Sequence, residues 1–318
     1  DLHRVDRRQR QMCIRDRYNT DSGYTIDGME ATTTYNFIAN YDLSEGNYYM
    51  HVRPKNGYGQ WGIEKIFNIK YDNTAPTCLI SSITETIANA YYPATGTEIW
   101  YCNTASCGGG SFNVVVNATD TYSGIQKVNF PTVNGLTGCG DDNSSPYSCT
   151  FSFTTSTTQN GEVIETAYDN VNLVSTCSFI LTQDNTAPSG GSISYTDGFY
   201  ATTSVAITFT NGTDNGSGVA NRIIQRRSAT LTNGSCGAYG SWSNLVMNPE
   251  SSPYTDNTVS TWNCYQYQYV EIDNVSNVGY ATSTSVVKID TTPPGSCSIT
   301  SITKDTSPAC QYVLGLSL

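Results

Sequence analysis

Apolar and polar residues alternate along this chain in short bursts. Phe112, Val114 and Val116 are separated by single residues of another kind, and so are Val205, Ile207 and Phe209. A period of two sends successive side chains to opposite faces, so both segments are predicted as half-buried strands. Phe179 and Leu181 mark another strand, and Val286, Val287 and Ile289 a fourth. Tyr265, Tyr267 and Tyr269 share one face of a further strand, opposite Cys264, Gln266, Gln268 and Val270. Clusters of Gly, Asn, Asp and Ser separate these runs, as turns require. No stretch keeps a helical period. Short strands at regular spacing predict an all-β fold of β-sandwiches.

The pattern repeats. Asp72-Asn73-Thr74-Ala75-Pro76 returns as Asp184-Asn185-Thr186-Ala187-Pro188 and, varied, as Asp290-Thr291-Thr292-Pro293-Pro294. The interval is about 110 residues, the length of one sandwich domain. Two further landmarks keep the same order. Ala118-Thr119-Asp120-Thr121-Tyr122-Ser123-Gly124-Ile125 matches Gly212-Thr213-Asp214-Asn215-Gly216-Ser217-Gly218-Val219. Tyr168-Asp169-Asn170-Val171-Asn172 matches Ile272-Asp273-Asn274-Val275-Ser276. Proline fixes φ and holds the residue before it extended, so Pro76, Pro188 and Pro293 predict short, stiff joints. Residues 18–71 then form the C-terminal part of one repeat, 77–183 and 189–289 are complete repeats, and 295–318 begin another.

These three motifs resemble the immunoglobulin-like and fibronectin-III-like repeats of bacterial surface proteins. The resemblance covers nearly all of 18–318. It implies tandem immunoglobulin-like sandwiches in an extracellular stalk or adhesin, and it specifies no ligand. The 77–183 repeat departs from the pattern in its cysteine-rich insertions around Tyr101–Gly110 and Gly138–Cys149.

Residues 1–17 differ in kind. They hold Arg4, Arg7, Arg8, Arg10, Arg15 and Arg17 but no Tyr or Gly. Arg7 to Arg17 reads as the translation of a sequencing-library adapter, and Leu316-Ser317-Leu318 matches the start of the reverse-complement adapter. Residues 1–17 are therefore expected to be an artefact, disordered and outside the fold, and the chain to be a fragment of a longer reading frame. The net charge of −11 over 318 residues argues against a nucleic-acid partner. No apolar run approaches the ~20 residues of a membrane-spanning helix.

Eleven cysteines are many for a reducing compartment, and no C-x-x-C pair suggests zinc. Disulfides in an exported protein are expected. The 189–289 repeat holds only Cys236 and Cys264, which are expected to pair. Six cysteines in the other complete repeat allow fifteen connectivities. The expectation is Cys78–Cys177, Cys102–Cys107 and Cys139–Cys149. The first has a reason: one cysteine follows a joint and the other precedes the next, and the first and last strands of such sandwiches can lie side by side.

Candidate chemistry is sparse. Two histidines, His3 and His51, do not supply a nucleophile relay. Asp141-Asp142 and Glu162 with Glu165 are acid pairs of the kind glycosidases need, but neither has a partner arrangement that supports catalysis, and both are read as solvated surface acids. No catalytic residue and no organic cofactor is predicted. Calcium takes oxygen ligands from Asp, Asn and carbonyl groups. Asp72, Asp169, Asp184 and Asp273, each followed by Asn, recur near the joints and are its weak candidates. The same residues make turns through side-chain to backbone hydrogen bonds. Asn-x-Ser/Thr triplets begin at Asn117, Asn143, Asn211, Asn215, Asn233 and Asn274. They are acceptors only in a host that glycosylates them.

Two functions follow as expectations. The first is a structural stalk or adhesion segment of an exported surface protein, without catalysis. The second is a set of carbohydrate- or protein-binding modules of a secreted enzyme, with the tyrosine strand or the cysteine-rich insertion as binding face. A glycan and a protein remain open as partners.

Overall fold

The computed structural model describes residues 12–14, 45–54, 60–86 and 89–296. Residues 18–44 of the first expected repeat and 297–318 of the last lie outside the described residues, as do Cys297, Cys310 and His3. The chain divides into two compact units at Asn185/Thr186. All regular structure among the described residues is β.

Among the described residues the first unit contains twelve strands: β1 (Met12–Ile14), β2 (Gly46–Pro54), β3 (Lys65–Tyr71), β4 (Thr77–Glu85), β5 (Ala90–Tyr91), β6 (Glu98–Tyr101), β7 (Gly110–Thr119), β8 (Ile125–Phe130), β9 (Gly140–Asp142), β10 (Tyr147–Phe153), β11 (Gly161–Asp169) and β12 (Val174–Gln183). Strands β1-β2-β3 make a small sheet. Sheets β10-β7-β4 and β5-β6-β12-β11-β8-β9 are the two layers of a sandwich. Every pairing in it is antiparallel except β12 with β6.

Met12–Ile14 pairs antiparallel with Val52–Pro54 of β2.

The alternation read from the sequence is what fills the sandwich. Phe112, Val114 and Val116 of β7 face Phe179 and Leu181 of β12 across the layers, all buried. Their centre is a group of rings: Phe112 stacks on Phe151, and Phe179 meets both edge-on. Offset-stacked and edge-to-face ring pairs add about 0.5–1.5 kcal/mol each beyond the area they bury.

The second unit adds β13 (Ser192–Ser194), β14 (Gly198–Tyr200), β15 (Val205–Thr210), β16 (Val219–Thr232), β17 (Ser235–Cys236), β18 (Ser243–Met247), β19 (Tyr254–Asp256), β20 (Asn263–Asp273), β21 (Val278–Thr282) and β22 (Val287–Ile289). Its layers are β13-β15-β19 and β14-β22-β20-β16-β17, with β18 beside β16 and β21 beside β20. The long β16/β20 ladder pairs Val219 with Asp273 and Thr230 with Asn263 at its ends. Tyr265, Tyr267 and Tyr269 point inward and pack with Val205, Ile207, Phe209 and Ile224. They therefore form core, which removes the tyrosine strand as an exposed binding face.

Among the described residues, four disulfides fasten these sheets. Cys78–Cys177 joins β4 of one layer to β12 of the other, and Cys139–Cys149 ties the start of β9 to β10. Cys102–Cys107 closes a short loop, and Cys236–Cys264 holds β17 against β20.

Candidate metal centre

Three loops of the first unit each deliver one aspartate to the same place. Asp72 follows β3, Asp120 follows β7, and Asp169 ends β11. One carboxylate oxygen from each lies within 4.8 Å of the other two. Asp72 and Asp120 are half-buried, and Asp169 is 0% exposed.

The local sequence fixes each loop. In Asp120-Thr121-Tyr122-Ser123-Gly124, Asp120 Oδ1 accepts the N–H groups of Tyr122, Ser123 and Gly124 at 3.1, 2.8 and 2.6 Å. Gly124 closes this turn at φ +79°, a left-handed backbone that glycine adopts without strain. Asn170 Nδ2 donates to the carbonyls of Ser123 and Gly124 and pins the loop to the β11–β12 turn. In that turn Asp169 Oδ1 accepts N–H from Val171 and Leu173 at 2.9 and 2.8 Å. Asp72 Oδ1 accepts from Thr74 N at 3.1 Å, and its Oδ2 from Ser123 N at 3.0 Å. The hydrogen bond from Ser123 is the main reason the Asp72 carboxyl lies below its ordinary range.

The turn reading of these acids is thus visible in the structure, and so is their convergence. Two unit charges at this separation repel by about 3 kcal/mol at an effective dielectric of 20. Backbone N–H groups offset part of that. They leave Asp169 Oδ2, which is buried and has no hydrogen-bond partner. Three carboxylates with a bare buried oxygen suit a hard divalent cation, which takes oxygen ligands. Beside Asp72 the surface opens into a pocket of ≈ 390 Å³ lined in part by Lys70, Tyr71, Tyr122, Ser123 and Asn170.

The second unit repeats two of these loops. Asp214 Oδ2 accepts Gly218 N at 2.7 Å, and Gly218 is at φ +83°. Asp273 Oδ1 accepts Asn277 N at 2.7 Å. Carboxylate oxygens of Asp214 and Asp273 lie within 4.8 Å. Asp184 holds the sequence position of Asp72; it is buried, and its N–H donates to Tyr101 O at 2.8 Å. Asp120 and Asp214 were not among the sequence candidates. Their recurrence inside matched landmarks was the signal for them.

The other candidates separate. Asp141 pairs with Lys127 Nζ and Asn129 Nδ2 at 2.8 and 2.7 Å, while Asp142 accepts N–H from Ser144 and Ser148. Glu162 faces outward and accepts the Ser178 hydroxyl, whereas Glu165 points into the core with neither oxygen hydrogen-bonded. Neither acid pair shares a cleft. His51 lies within β2, opposite Ile66.

Two-sheet sandwiches built on one repeated set of aspartate loops and proline joints define a protein of tandem immunoglobulin-like domains. Residues 102–217 match the family described as bacterial Ig domain. The matched frame starts inside the first sandwich and runs through the joint at Pro188 to the Asp214 loop. Among solved structures, the chain is similar to a Ca2+-stabilized adhesin with which an Antarctic bacterium reaches out and binds ice, at 12% identity and TM-score 0.34. That match covers 77% of this chain and 57% of the other. It is also similar to a tetra-tandem repeat from the extending region of a large adhesion protein, at 11% identity and TM-score 0.29, over 79% of this chain and 58% of that one. The chain thus spans less than two thirds of either. No curated protein matches the sequence.

Proposed function

We propose that this chain is a structural and adhesive segment of an exported bacterial surface protein, and that a divalent cation, calcium by its oxygen ligands, organises its loops. The convergence of Asp72, Asp120 and Asp169 around an unpartnered buried oxygen supports the cation. Four disulfides support export, because such bridges persist in oxidising compartments. The bacterial Ig match and the repeated sandwiches support a role in projection rather than chemistry. Its repeats run 18–71, 77–183, 189–289 and 295–318, and its partner is a surface glycan or protein.

The test is calcium titration of the chelator-treated chain, followed by heat and by thermal unfolding. Saturating calcium raises Tm by several degrees, since a ligand at a hundred times its Kd stabilises by about 2.7 kcal/mol. Asp169→Asn removes most of that gain. No heat and an unmoved Tm for the parent chain would sink the cation reading.

A further inference from the structure

The turns that carry Asp169 and Asp273 share one backbone frame. Asp169 N donates to Leu173 O at 3.1 Å, and Asp273 N donates to Asn277 O at 3.1 Å. The return bonds match as well: Leu173 N reaches Asp169 Oδ1 at 2.8 Å, and Asn277 N reaches Asp273 Oδ1 at 2.7 Å. Asn172 and Ser276, one residue earlier, both have positive φ, 68° and 75°. Leu173 and Asn277 are therefore the same structural position in two repeats.

Their side chains treat the carboxylate oppositely. Asn277 Nδ2 donates to Asp273 Oδ2 at 2.7 Å. Leu173 has no polar side-chain atom, and Asp169 Oδ2 is buried without a hydrogen-bond partner. A buried charged acceptor left unpartnered is costly, and a cation relieves it. An amide proton on the same oxygen relieves it too, and then competes with a cation for the lone pair.

We propose that this one position sets the rank of the two acidic loops for divalent cations. Leu173 keeps Asp169 Oδ2 available as a ligand, and the Asp72/Asp120/Asp169 cluster fills first. Asn277 acts as an internal cap on Asp273, and the loop of Asp214 and Asp273 fills later. The side chain at this position touches no cation. It positions and occupies the ligand oxygen, and it deepens the cation reading given above, on which it rests.

The experiment is isothermal titration of the chelator-treated full chain with calcium chloride. The parent chain is compared with Leu173→Asn, Asn277→Leu and Asp169→Asn. Leu173 is half-buried beside a turn, so Leu173→Asn is a mild change. Leu173→Asn is expected to weaken the tighter class of site about tenfold, the worth of one hydrogen bond to a charged acceptor. Asn277→Leu is expected to strengthen the weaker class by a similar factor. Asp169→Asn abolishes the tighter class. If it does so while Leu173→Asn and Asn277→Leu both leave the affinities within about twofold, the ranking fails and the cation site stands. If the parent chain takes up no calcium, both fail. Conversion of Leu173→Asn to Leu173→Val, which offers no hydrogen-bond donor, restores at least half of the lost affinity. Equal loss in both variants would mean that the effect comes from packing, and would overturn the proposal.

Discussion

The Tyr267 hydroxyl donates to Asp256 Oδ2 at 3.0 Å in the middle of the second sandwich. Arg226 Nη1 meets the same oxygen at 2.7 Å, and Thr258 donates to Oδ1 through both its N–H and its hydroxyl. Asp256 is fully buried, so its charge persists only because every part of this set is present. Burial is the largest influence on its carboxyl and opposes ionisation. The bonds from Thr258 and Arg226 together outweigh it and hold the carboxyl below its ordinary range.

Asp256→Ala leaves Arg226 partly buried and unpaired, and it is expected to destabilise the second unit by about 3–5 kcal/mol. Tyr267→Phe removes one hydrogen bond to a charged group and is expected to cost about 1.5–3 kcal/mol. Guanidinium denaturation of each variant checks both, and a similar loss for the two changes would contradict the arrangement. The pH sign follows from the depressed carboxyl. Its contribution is complete above the unfolded carboxylate range and is lost as pH falls through the folded value.

Glu165 carries the opposite sign. Burial pushes its carboxyl up to about 8 against a weaker pull from its own backbone N–H, and no other residue hydrogen-bonds either oxygen. The neutral form is therefore the folded form. From the unfolded value near 4.5 up to about 8, the unfolded chain releases a proton that the folded chain keeps. Stability of the first unit falls across that window by about 1.4 kcal/mol for each pH step, then levels off. Glu165→Met fills the same space without a titrating group and flattens the slope. Thermal unfolding between pH 4.5 and 8, in parent and variant, is the measurement; identical slopes would refute the assignment.

The Cys78–Cys177 bridge joins residues 99 positions apart, and Cys102–Cys107 joins residues 5 apart. On the loop-entropy model, removing the first costs about 4–5 kcal/mol and removing the second about 2. Paired Cys→Ala variants of each bridge, followed by denaturant titration, should preserve that order.

Gly124 holds its φ of +79° while its N–H caps Asp120. Gly124→Ala places a Cβ in the left-handed region at a cost of about 1–2 kcal/mol. The expected result is lower stability together with weaker calcium uptake, because the turn that aims Asp120 opens. Calcium titration of this variant with affinity unchanged would show that the turn does not orient the ligand.

Much of the fold was legible because a strand writes its faces into the sequence. Phe112, Val114 and Val116 announce an inward face, and all three are buried. The same rule separates Glu162 from Glu165. Three residues apart on a strand, they must point to opposite sides, so their proximity in sequence never made a catalytic pair. The aspartate loops were legible through their recurrence, yet Asp120 and Asp214 read as turn residues because one carboxylate can cap a turn and also face a neighbour. Two features left no local trace. Arg226 of β16 and Asp256 of β19 meet across thirty positions of chain from opposite layers of the sandwich, and nothing near either residue marks the other. The contrast of Leu173 with Asn277 is a single substitution inside an otherwise matching motif, and only the bare oxygen of Asp169 gives it meaning.

The bridge between β4 and β12 also decides how the molecule bears load. A pull on the chain enters the first sandwich just after Pro76 and meets Cys78 at once. It leaves through sulfur to Cys177, 99 positions on, so the chain between them is bypassed and cannot be drawn out. The second sandwich has only Cys236–Cys264, whose cysteines stand 28 positions apart and leave the strands on either side of that loop under tension. One repeat is a fixed-length link, and the next is the one that can yield.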